Sequence, residues 1–261
     1  MPSHPRIAVL GGGAAGFFAA ITCAEQLGKD GSVTLFEATP HLLAKVRISG
    51  GGRCNVTHSC FEPAELVKKY PRGGRELLGA FHRFQPRDTI EWFASRGVAT
   101  KTEEDGRMFP TTDDSGTIVD CLMSAAARAG VSIRLSTAVR SAVKQGETFQ
   151  LTLGTGTVEE FDRVIIATHA DEALAMLPEP DALQSQILPA FRYQKNIATL
   201  HTDKSVMPRT RRAWASWNYR IQRDPAGHSE ATTHYWMNAL QGVSQKRDYF
   251  VSVNGSETIR P

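Results

Sequence analysis

A glycine-rich turn between a buried strand and a helix constrains the fold of this chain more than any other feature. Residues 6–10, RIAVL, form a short apolar run typical of a strand buried on both faces. The turn GGGAAG follows at 11–16, and FFAAITCAEQLG (17–28) has the length and alanine content of a helix that ends at its glycine. A second buried strand, SVTLFEA (32–38), completes a strand–helix–strand unit. The sequence therefore predicts an α/β fold of the Rossmann-like type.

The turn has the spacing of a dinucleotide-binding fingerprint, Gly11-x-Gly13-x-x-Gly16. Gly11 permits the tight turn, Gly13 lets the backbone approach a pyrophosphate, and Gly16 allows the helix to pack close to the strand. The helix N-terminus offers N–H groups and partial positive charge to phosphates. Glu37 ends the second strand, where a carboxylate accepts hydrogen bonds from ribose hydroxyls and favours FAD or NAD over NADP. Tight packing of small residues is the alternative, and the surrounding elements favour dinucleotide binding.

Composition limits the possible partners. The chain has 261 residues, of which 41% are hydrophobic and 22% charged, as in an ordinary soluble protein of one large or two modest domains. A formal net charge of +3 is too small to predict a nucleic-acid surface, and four cysteines are too few for a disulfide framework. Glycines interrupt the apolar stretch 8–24, and no other segment is long enough to cross a membrane. We expect a cytoplasmic protein with no nucleic-acid partner and no membrane span. The oligomeric state stays open.

The predicted elements change character along the chain. Between the first unit and residue 168 the patterns predict helices at 63–70, 75–84, 86–97 and 117–130, a hairpin turning at Asp105-Gly106, and four short strands from residue 131 onward. After residue 170, alternating segments at 196–202, 213–221, 231–238 and 248–254 predict a partial antiparallel sheet. Proline-rich residues 177–190 mark the break. We therefore expect an FAD-binding domain at 1–176, with a helical insertion at about 61–97, and a substrate or cap domain at 177–261.

Two aromatic side chains of the second domain invite two interpretations. Trp217 and Tyr219 fall on one face of their predicted strand, with Tyr235 or Trp236 across from them. They would wall a substrate channel, or they would be part of ordinary sheet packing, which is the interpretation that the sequence favours.

The choice of FAD as the expected cofactor rests on a resemblance to a known family. Residues 48–57, ISGGGRCNVT, and 106–110, GRMFP, are similar to motifs of the family of predicted flavoproteins that includes aminoacetone oxidase and a bile-acid reductase. The likeness covers residues 6 to about 165. It implies bound FAD, a flavin-dependent redox reaction, and a glycine run that belongs to the flavin-binding loop. Leu43 and Ala44 stand where that family has a Gly-Arg pair, and His58 replaces an Asn.

From about residue 161 onward the chain resembles a second group, the amine-oxidase-type predicted NAD/FAD-binding proteins. The changeover falls in the strand that ends at Ala167-Thr168, with His169 where the first family has glycine. This predicts a chimera of two related flavoprotein folds. Both families continue into a segment that closes over the flavin, and nothing after Asn254 resembles it. A truncated or chimeric FAD-binding fold without turnover is therefore the alternative to an enzyme.

The glycine run has rival interpretations. A phosphate-binding P-loop requires a following Lys-Ser or Lys-Thr, which is absent. Cys54, His58 and Cys60 are three potential zinc ligands without the second pair that structural zinc sites use, so we expect no metal site. A flavin-linked dithiol of Cys54 and Cys60 stays a minor alternative, because their spacing exceeds that of the disulfide reductases by one residue.

The sequence thus predicts an FAD-dependent oxidoreductase that transfers a hydride between a small organic substrate and the flavin. Dioxygen or NAD(P)H would be the second redox partner. The pattern identifies no catalytic acid or base. The predicted FAD contacts are Gly11, Gly13, Ala14, Ala15, Gly16, Glu37, Ala38, Lys45, Ser49, Gly50, Gly51, Gly52, Arg53, Cys54, Asn55, Val139, Ala167 and Thr168.

Overall fold

The computed structural model describes residues 4–223, 229–255 and 259–260. The chain forms two compact units, Met1–Arg192 and Tyr193–Pro261. The predicted domain limit between residues 176 and 177 stays a proposal, because compactness alone does not define a functional domain. The stretch after Asn254, where the sequence shows no flavin-closing segment, lies partly outside the described residues.

Both units contain strands and helices. The strands are β1 Arg6–Leu10, β2 Ser32–Phe36, β3 Thr57–His58, β4 Thr100–Thr102, β5 Arg107–Pro110, β6 Ser132–Arg134, β7 Val139–Gln145, β8 Thr148–Leu153, β9 Val158–Phe161, β10 Arg163–Ile166, β11 Ala198–His201, β12 Trp217–Arg223, β13 Ser229–Trp236 and β14 Phe250–Val253. The α-helices are α1 Ala14–Leu27, α2 Ala44–Ile48, α3 Pro63–Leu66, α4 Gly74–Phe81, α5 Pro86–Ala94, α6 Ser115–Arg128, α7 Ala170–Ala175, α8 Ala182–Ile187 and α9 Met237–Gln241. Short 3-10 helices cover Ser49–Gly52, Val67–Lys69, Leu188–Ala190, Lys204–Val206 and Arg211–Ala213. Within the described residues, no helix combines the length and the apolar character that a membrane span requires.

A parallel sheet with strand order β10-β1-β2-β6 forms the centre of the first unit. Both faces of this sheet are covered. Successive side chains of β1 point to opposite faces, and both sets are buried. Val9 points into a core shared with α1 and α6, whereas Ala8 and Leu10 point into a core shared with the antiparallel sheet β7-β8-β9. This layering explains why β1 is an unbroken apolar run and not an alternating one.

The predicted strand–helix–strand unit is confirmed. β1 and β2 pair in parallel, and α1 connects them and ends at Gly28. The predicted hairpin is confirmed as well, since β4 and β5 pair around a turn that contains Gly106. The four alternating segments of the second half form β11 to β14, an antiparallel sheet.

Other predicted elements differ from the structure. The α-helix predicted at 63–70 stops at Leu66 and continues as a 3-10 turn, because Tyr70 precedes Pro71 and is extended. Five strands occupy residues 131–168 where four were predicted. The additional strand, β9, contains Glu159 and Glu160, which obscure its apolar pattern.

The glycine run forms the 3-10 turn that follows α2, and its carboxyl end joins a three-stranded sheet of order β3-β5-β4. Gly50 has a φ of +58°, and a Cβ on it would lie 2.8 Å from the backbone nitrogen of Asn55. Arg53 anchors the turn from outside. Its guanidinium lies 4.0 Å from the ring centroid of Phe109 and donates to Glu103 over 2.5 Å.

The second unit has an antiparallel sheet of order β11-β14-β13-β12. Trp217 and Tyr219 share one face, and Tyr235 lies directly across from Trp217. The side chains of Trp217 and Tyr219 are both 58% exposed. The two interpretations of these residues, a wall of a substrate channel or ordinary sheet packing, both stay predictions.

The covered face of this sheet contains a chain of hydrogen bonds through two histidines. The Asp203 N–H donates to Nδ1 of His201, whose Nε2 lies 2.7 Å from the Ser252 hydroxyl. That hydroxyl lies 2.6 Å from Nδ1 of His234, and Nε2 of His234 lies 3.0 Å from the Thr232 hydroxyl. One donor direction along the whole chain satisfies every atom when both imidazoles are neutral. Burial lowers the pKa of both histidines, which favours the same state.

The second unit also contains an ion-pair cluster around Asp248. The Asp248 carboxylate accepts two hydrogen bonds from Arg211, at 2.9 and 3.1 Å, and one from the Trp236 indole. Lys204 lies 2.9 Å from the same carboxylate. The Arg211 guanidinium covers the Trp214 ring at 4.2 Å. These donors hold the pKa of Asp248 well below its usual range.

Candidate functional site

A cleft of about 950 Å³ opens in the first unit at the carboxyl ends of β1 and β10. This is the position at which open parallel sheets bind their ligands. The glycine turn before α1 forms its floor, and α2, β7 and the residues before α7 contribute to its walls. The volume is in the upper range for small-molecule and cofactor sites.

The glycine turn is shaped by two close approaches. Gly11 has a φ of +112°, and a Cβ on it would lie 2.7 Å from the carbonyl oxygen of Ala167. Gly16 faces the turn itself, since a Cβ there would lie 1.8 Å from the Gly11 carbonyl oxygen. Gly13 is different, because a Cβ on it would meet no protein atom within 4 Å. Gly11 and Gly16 therefore serve the fold, and Gly13 leaves space for a ligand at the start of α1.

Glu37 lies in the cleft and is already bonded to the backbone. Its Oε2 accepts from the Gly12 N–H over 2.8 Å, and its Oε1 accepts from the Thr39 N–H and hydroxyl, each over 2.8 Å. These bonds fix the carboxylate beside the glycine turn. Oε1 thereby accepts two hydrogen bonds and Oε2 accepts one, so Oε2 can accept a further bond, as a ribose hydroxyl requires.

The cleft has an apolar end. Side chains from α1, α2, α5 and α6 line this part, including Phe18, Val46, Phe93, Ile118 and Leu122. Phe93, Ile118 and Leu122 belong to the core of the unit, so the wall is rigidly supported. A flat aromatic ring system is the kind of group that such a wall accommodates.

The segment that contains the glycine run, residues 49–55, contributes three residues to the cleft lining. Ser49, Cys54 and Asn55 line the cleft. Cys54 is buried with a φ of +61°, and its N–H donates to the Ser49 carbonyl. Burial raises the pKa of the Cys54 thiol, and a side-chain hydrogen bond with Ser49 partly offsets this. Cys54 and Cys60 are free thiols, and Cys60 lies outside the cleft lining.

The structure brings most of the predicted contacts together. The predicted residues that line the cleft are Gly11, Gly13, Ala14, Ala15, Glu37, Ala38, Lys45, Ser49, Cys54, Asn55, Val139, Ala167 and Thr168. The others, Gly16, Gly50, Gly51, Gly52 and Arg53, lie outside the lining. Gly16 and Arg53 act on the shape of the turns, as described above. Contact of each residue with a cofactor stays a prediction.

Several lining residues escaped the sequence analysis. They include the apolar side chains of α5 and α6, which come from the segment interpreted as an insertion and from the helix after it. Thr137 and Arg140 flank Val139 and belong to the same wall. The contact of His169 with Lys45 was not foreseen either, and its Nε2 lies 2.6 Å from Nζ of Lys45. No motif spacing links residues that meet only through folding.

Comparison with known families shows which family the chain belongs to. The model of the HI0933-like protein Rossmann domain matches residues 5–177. The chain belongs to this HI0933-like family. The matched range contains every residue that lines the cleft. The family assignment confirms the Rossmann-like fold and supports FAD as the dinucleotide of this cleft.

Curated relatives resemble the same part of the chain. A 3-dehydro-bile acid delta(4,6)-reductase of Clostridium scindens is 30% identical over 162 residues, which are 62% of this chain and 38% of that protein. A ribosomal RNA dihydrouridine synthase of Escherichia coli is 32% identical over 161 residues, 61% of this chain and 38% of that protein. The chain thus aligns with well under half the length of either relative. The predicted resemblance of the first part to a family with a bile-acid reductase is confirmed.

A solved structure shows a more distant likeness. The 3-ketosteroid-delta4-(5alpha)-dehydrogenase of Rhodococcus jostii aligns with a TM-score of 0.49 at 14% identity, over 65% of this chain and 47% of that one. No functional conclusion follows from a likeness at this level. The amine-oxidase-type resemblance of the second part stays a prediction, as the family match ends at residue 177.

The donor set of the cleft suits FAD and gives no sign of a metal. It offers an open cradle at Gly13, a fixed carboxylate at Glu37 and an apolar wall, which correspond to a diphosphate, a ribose and a ring system. Among the described residues, no group of three or more His, Cys, Asp or Glu side chains is arranged to hold a metal ion.

Proposed function

We propose that this chain is the FAD-binding part of an oxidoreductase that transfers a hydride between the flavin and an organic substrate. The observation that carries the proposal is the cleft itself, in which Gly13 leaves an open cradle beside the carboxylate of Glu37. When bound, FAD supplies the two-electron chemistry, and the protein supplies binding and orientation.

Different residues of the cleft would contact different parts of FAD. The N–H groups at the start of α1 would face the diphosphate, and Glu37 would accept from a ribose hydroxyl. Val139 and Ala38 would border the adenine on the β7 side. Ser49, Cys54 and Asn55 would lie between the diphosphate and the apolar end that receives the ring system.

The names of the relatives suggest a reaction class. A bile acid delta(4,6)-reductase and a dihydrouridine synthase both add two hydrogens across a carbon–carbon double bond. We propose the same class here: hydride addition to one carbon of an activated double bond and proton addition to the other. NAD(P)H is then the expected electron donor.

Two substrate classes follow from these relatives. A small organic molecule agrees with the composition of the chain, whose net charge is only +3. The similarity to a ribosomal RNA dihydrouridine synthase makes an RNA uridine the second candidate, against the expectation of no nucleic-acid partner. A fold that binds FAD without turnover is the non-enzymatic alternative, and a dithiol reductase is the minor one.

The test is the visible spectrum and the cofactor titration of the purified chain. We expect a flavin absorption band, or saturable binding of added FAD with quenching of flavin fluorescence. Anaerobic NADH or NADPH should then bleach the band, and a 4,6-unsaturated bile acid or a uridine-containing RNA should restore it. A folded, colourless protein that ignores added FAD would refute the proposal, and FAD binding without any redox cycle would favour the non-enzymatic alternative.

A further inference from the structure

A contact between two cleft-lining side chains extends across the glycine turn. Nζ of Lys45, on α2, lies 2.6 Å from Nε2 of His169, the residue that precedes α7. The two residues are 124 positions apart in the chain. The two nitrogen atoms are within hydrogen-bond distance, and the tautomer of His169 decides which of them donates.

The backbone places this contact above the turn. On one side, the Leu43 N–H donates to the Gly12 carbonyl over 2.9 Å, so the start of α2 is attached to the turn. On the other side, Ala167 lies so close to Gly11 that a Cβ on Gly11 would lie 2.7 Å from its carbonyl oxygen. Lys45 follows the first attachment and His169 follows the second. Their side chains meet from opposite walls of the cleft.

The charged side chains that line the cleft indicate which of them could bind a diphosphate. The described residues that line the cleft include two permanently cationic side chains, Lys45 and Arg140. Arg140 follows Val139 on β7, and its Nε lies 4.0 Å from the position of a Cβ on Gly154, which follows β8. The carboxylates of the lining are already engaged: Glu37 accepts from backbone N–H groups, and Glu172 accepts from the His169 N–H over 3.2 Å. Lys45 is therefore the cation that is available next to the glycine turn.

We propose that Lys45 binds the diphosphate of the cofactor and that His169 is a positioning residue that holds the Lys45 ammonium over the glycine turn. This inference rests on the proposed FAD site. Without a ligand, the Lys45 side chain lies against His169. With a ligand, it donates to a phosphate oxygen while His169 limits the positions that its long side chain samples. His169 acts through Lys45 and touches no reacting atom.

The test measures binding and not turnover. FAD, ADP and adenosine are titrated into the full chain and its variants by calorimetry. ADP carries the diphosphate without the flavin, and adenosine lacks phosphate altogether. Lys45→Met should weaken FAD and ADP binding about tenfold to a hundredfold and leave adenosine binding unchanged. Lys45→Arg should recover most of the loss, because the charge is retained.

The role of His169 has its own signature. His169→Gly should weaken ADP binding roughly twofold to tenfold, because an untethered lysine side chain loses more freedom on binding. In a Lys45→Met background the same change should have no effect, since His169 acts only through the lysine. Lys144→Met removes the same charge from an exposed position on β7 outside the cleft, and it should bind like the wild type.

The outcomes separate the two proposals. A folded wild-type chain that binds neither FAD nor ADP overturns the proposed function, and this inference falls with it. A wild type that binds both, with Lys45→Met equal to Lys144→Met, overturns only the role of Lys45. An effect of His169→Gly that persists in the Lys45→Met background overturns the positioning role.

Discussion

Two glycines of one motif should respond oppositely to the same substitution. A Cβ on Gly16 would lie 1.8 Å from the Gly11 carbonyl oxygen, which is backbone in a turn held between β1 and α1. The two atoms must separate by more than 1 Å before they reach an ordinary contact. A Cβ on Gly13 would meet nothing within 4 Å. Gly16→Ala should therefore lower the stability of the fold. Gly13→Ala should instead fill space that is left for a ligand and so weaken ligand binding.

The magnitude follows from the contact. Forcing a rigid backbone apart in a packed region costs about 3 kcal/mol or more. Alanine returns about 1 kcal/mol through its better helix propensity, so Gly16→Ala should lose roughly 2–3 kcal/mol of unfolding free energy. Gly13 is the N-cap of α1, where alanine is poorer, so Gly13→Ala should lose about 0.5–1 kcal/mol.

The assay is urea denaturation followed by far-UV circular dichroism, paired with FAD titration. Gly16→Ala should shift the unfolding midpoint strongly. Gly13→Ala should shift its midpoint much less than Gly16→Ala does and lose at least tenfold in FAD affinity. The reasoning is refuted if Gly16→Ala unfolds like the wild type, or if Gly13→Ala binds FAD normally.

Three further predictions concern side chains away from the turn. Asp248→Asn should destabilise the second unit by about 1 kcal/mol, because Arg211 loses its charged partner while staying largely solvated. Since burial lowers the pKa of His201 and His234, the folded second unit binds fewer protons than the unfolded chain below about pH 6.5. Its stability should be level above that pH and should fall as the pH decreases toward 5, as followed by tryptophan fluorescence in urea. Arg53→Met should lower the stability of the first unit by about 1 kcal/mol in urea denaturation, through loss of its ion pairs and its cation–π contact.

Each of these has a result that contradicts it. For Asp248, the opposing result is a variant as stable as the wild type at pH 7. For the histidines, it is a stability that stays level down to pH 5, or an equally steep fall in a His234→Asn variant. Arg53 lies outside the cleft lining, so a loss of ADP affinity without any loss of stability would mean that its role is misassigned here.

The comparison of sequence and structure shows where local patterns are sufficient. β1, α1 and β2 were predicted because a run of apolar residues, a glycine turn and an alanine-rich segment each favour one local conformation. The same holds for the hairpin at Gly106 and the alternating strands of the second unit. The 3-10 continuation after Leu66 was missed because Pro71 restricts the residue before it, and β9 was missed because Glu159 and Glu160 obscure its apolar pattern.

The site divides in the same way. The sequence alone determined the glycine turn, the acid at Glu37 and the approach of Ala167, since a motif specifies its own backbone and the ends of parallel strands meet at one edge. Only the tertiary structure decided that Gly16 and Arg53 act outside the cleft and that α5 and α6 supply its apolar wall. Only the tertiary structure brought Lys45 against His169. Contacts between residues more than 100 positions apart arise from packing of whole elements, and no periodicity or spacing in the chain encodes them.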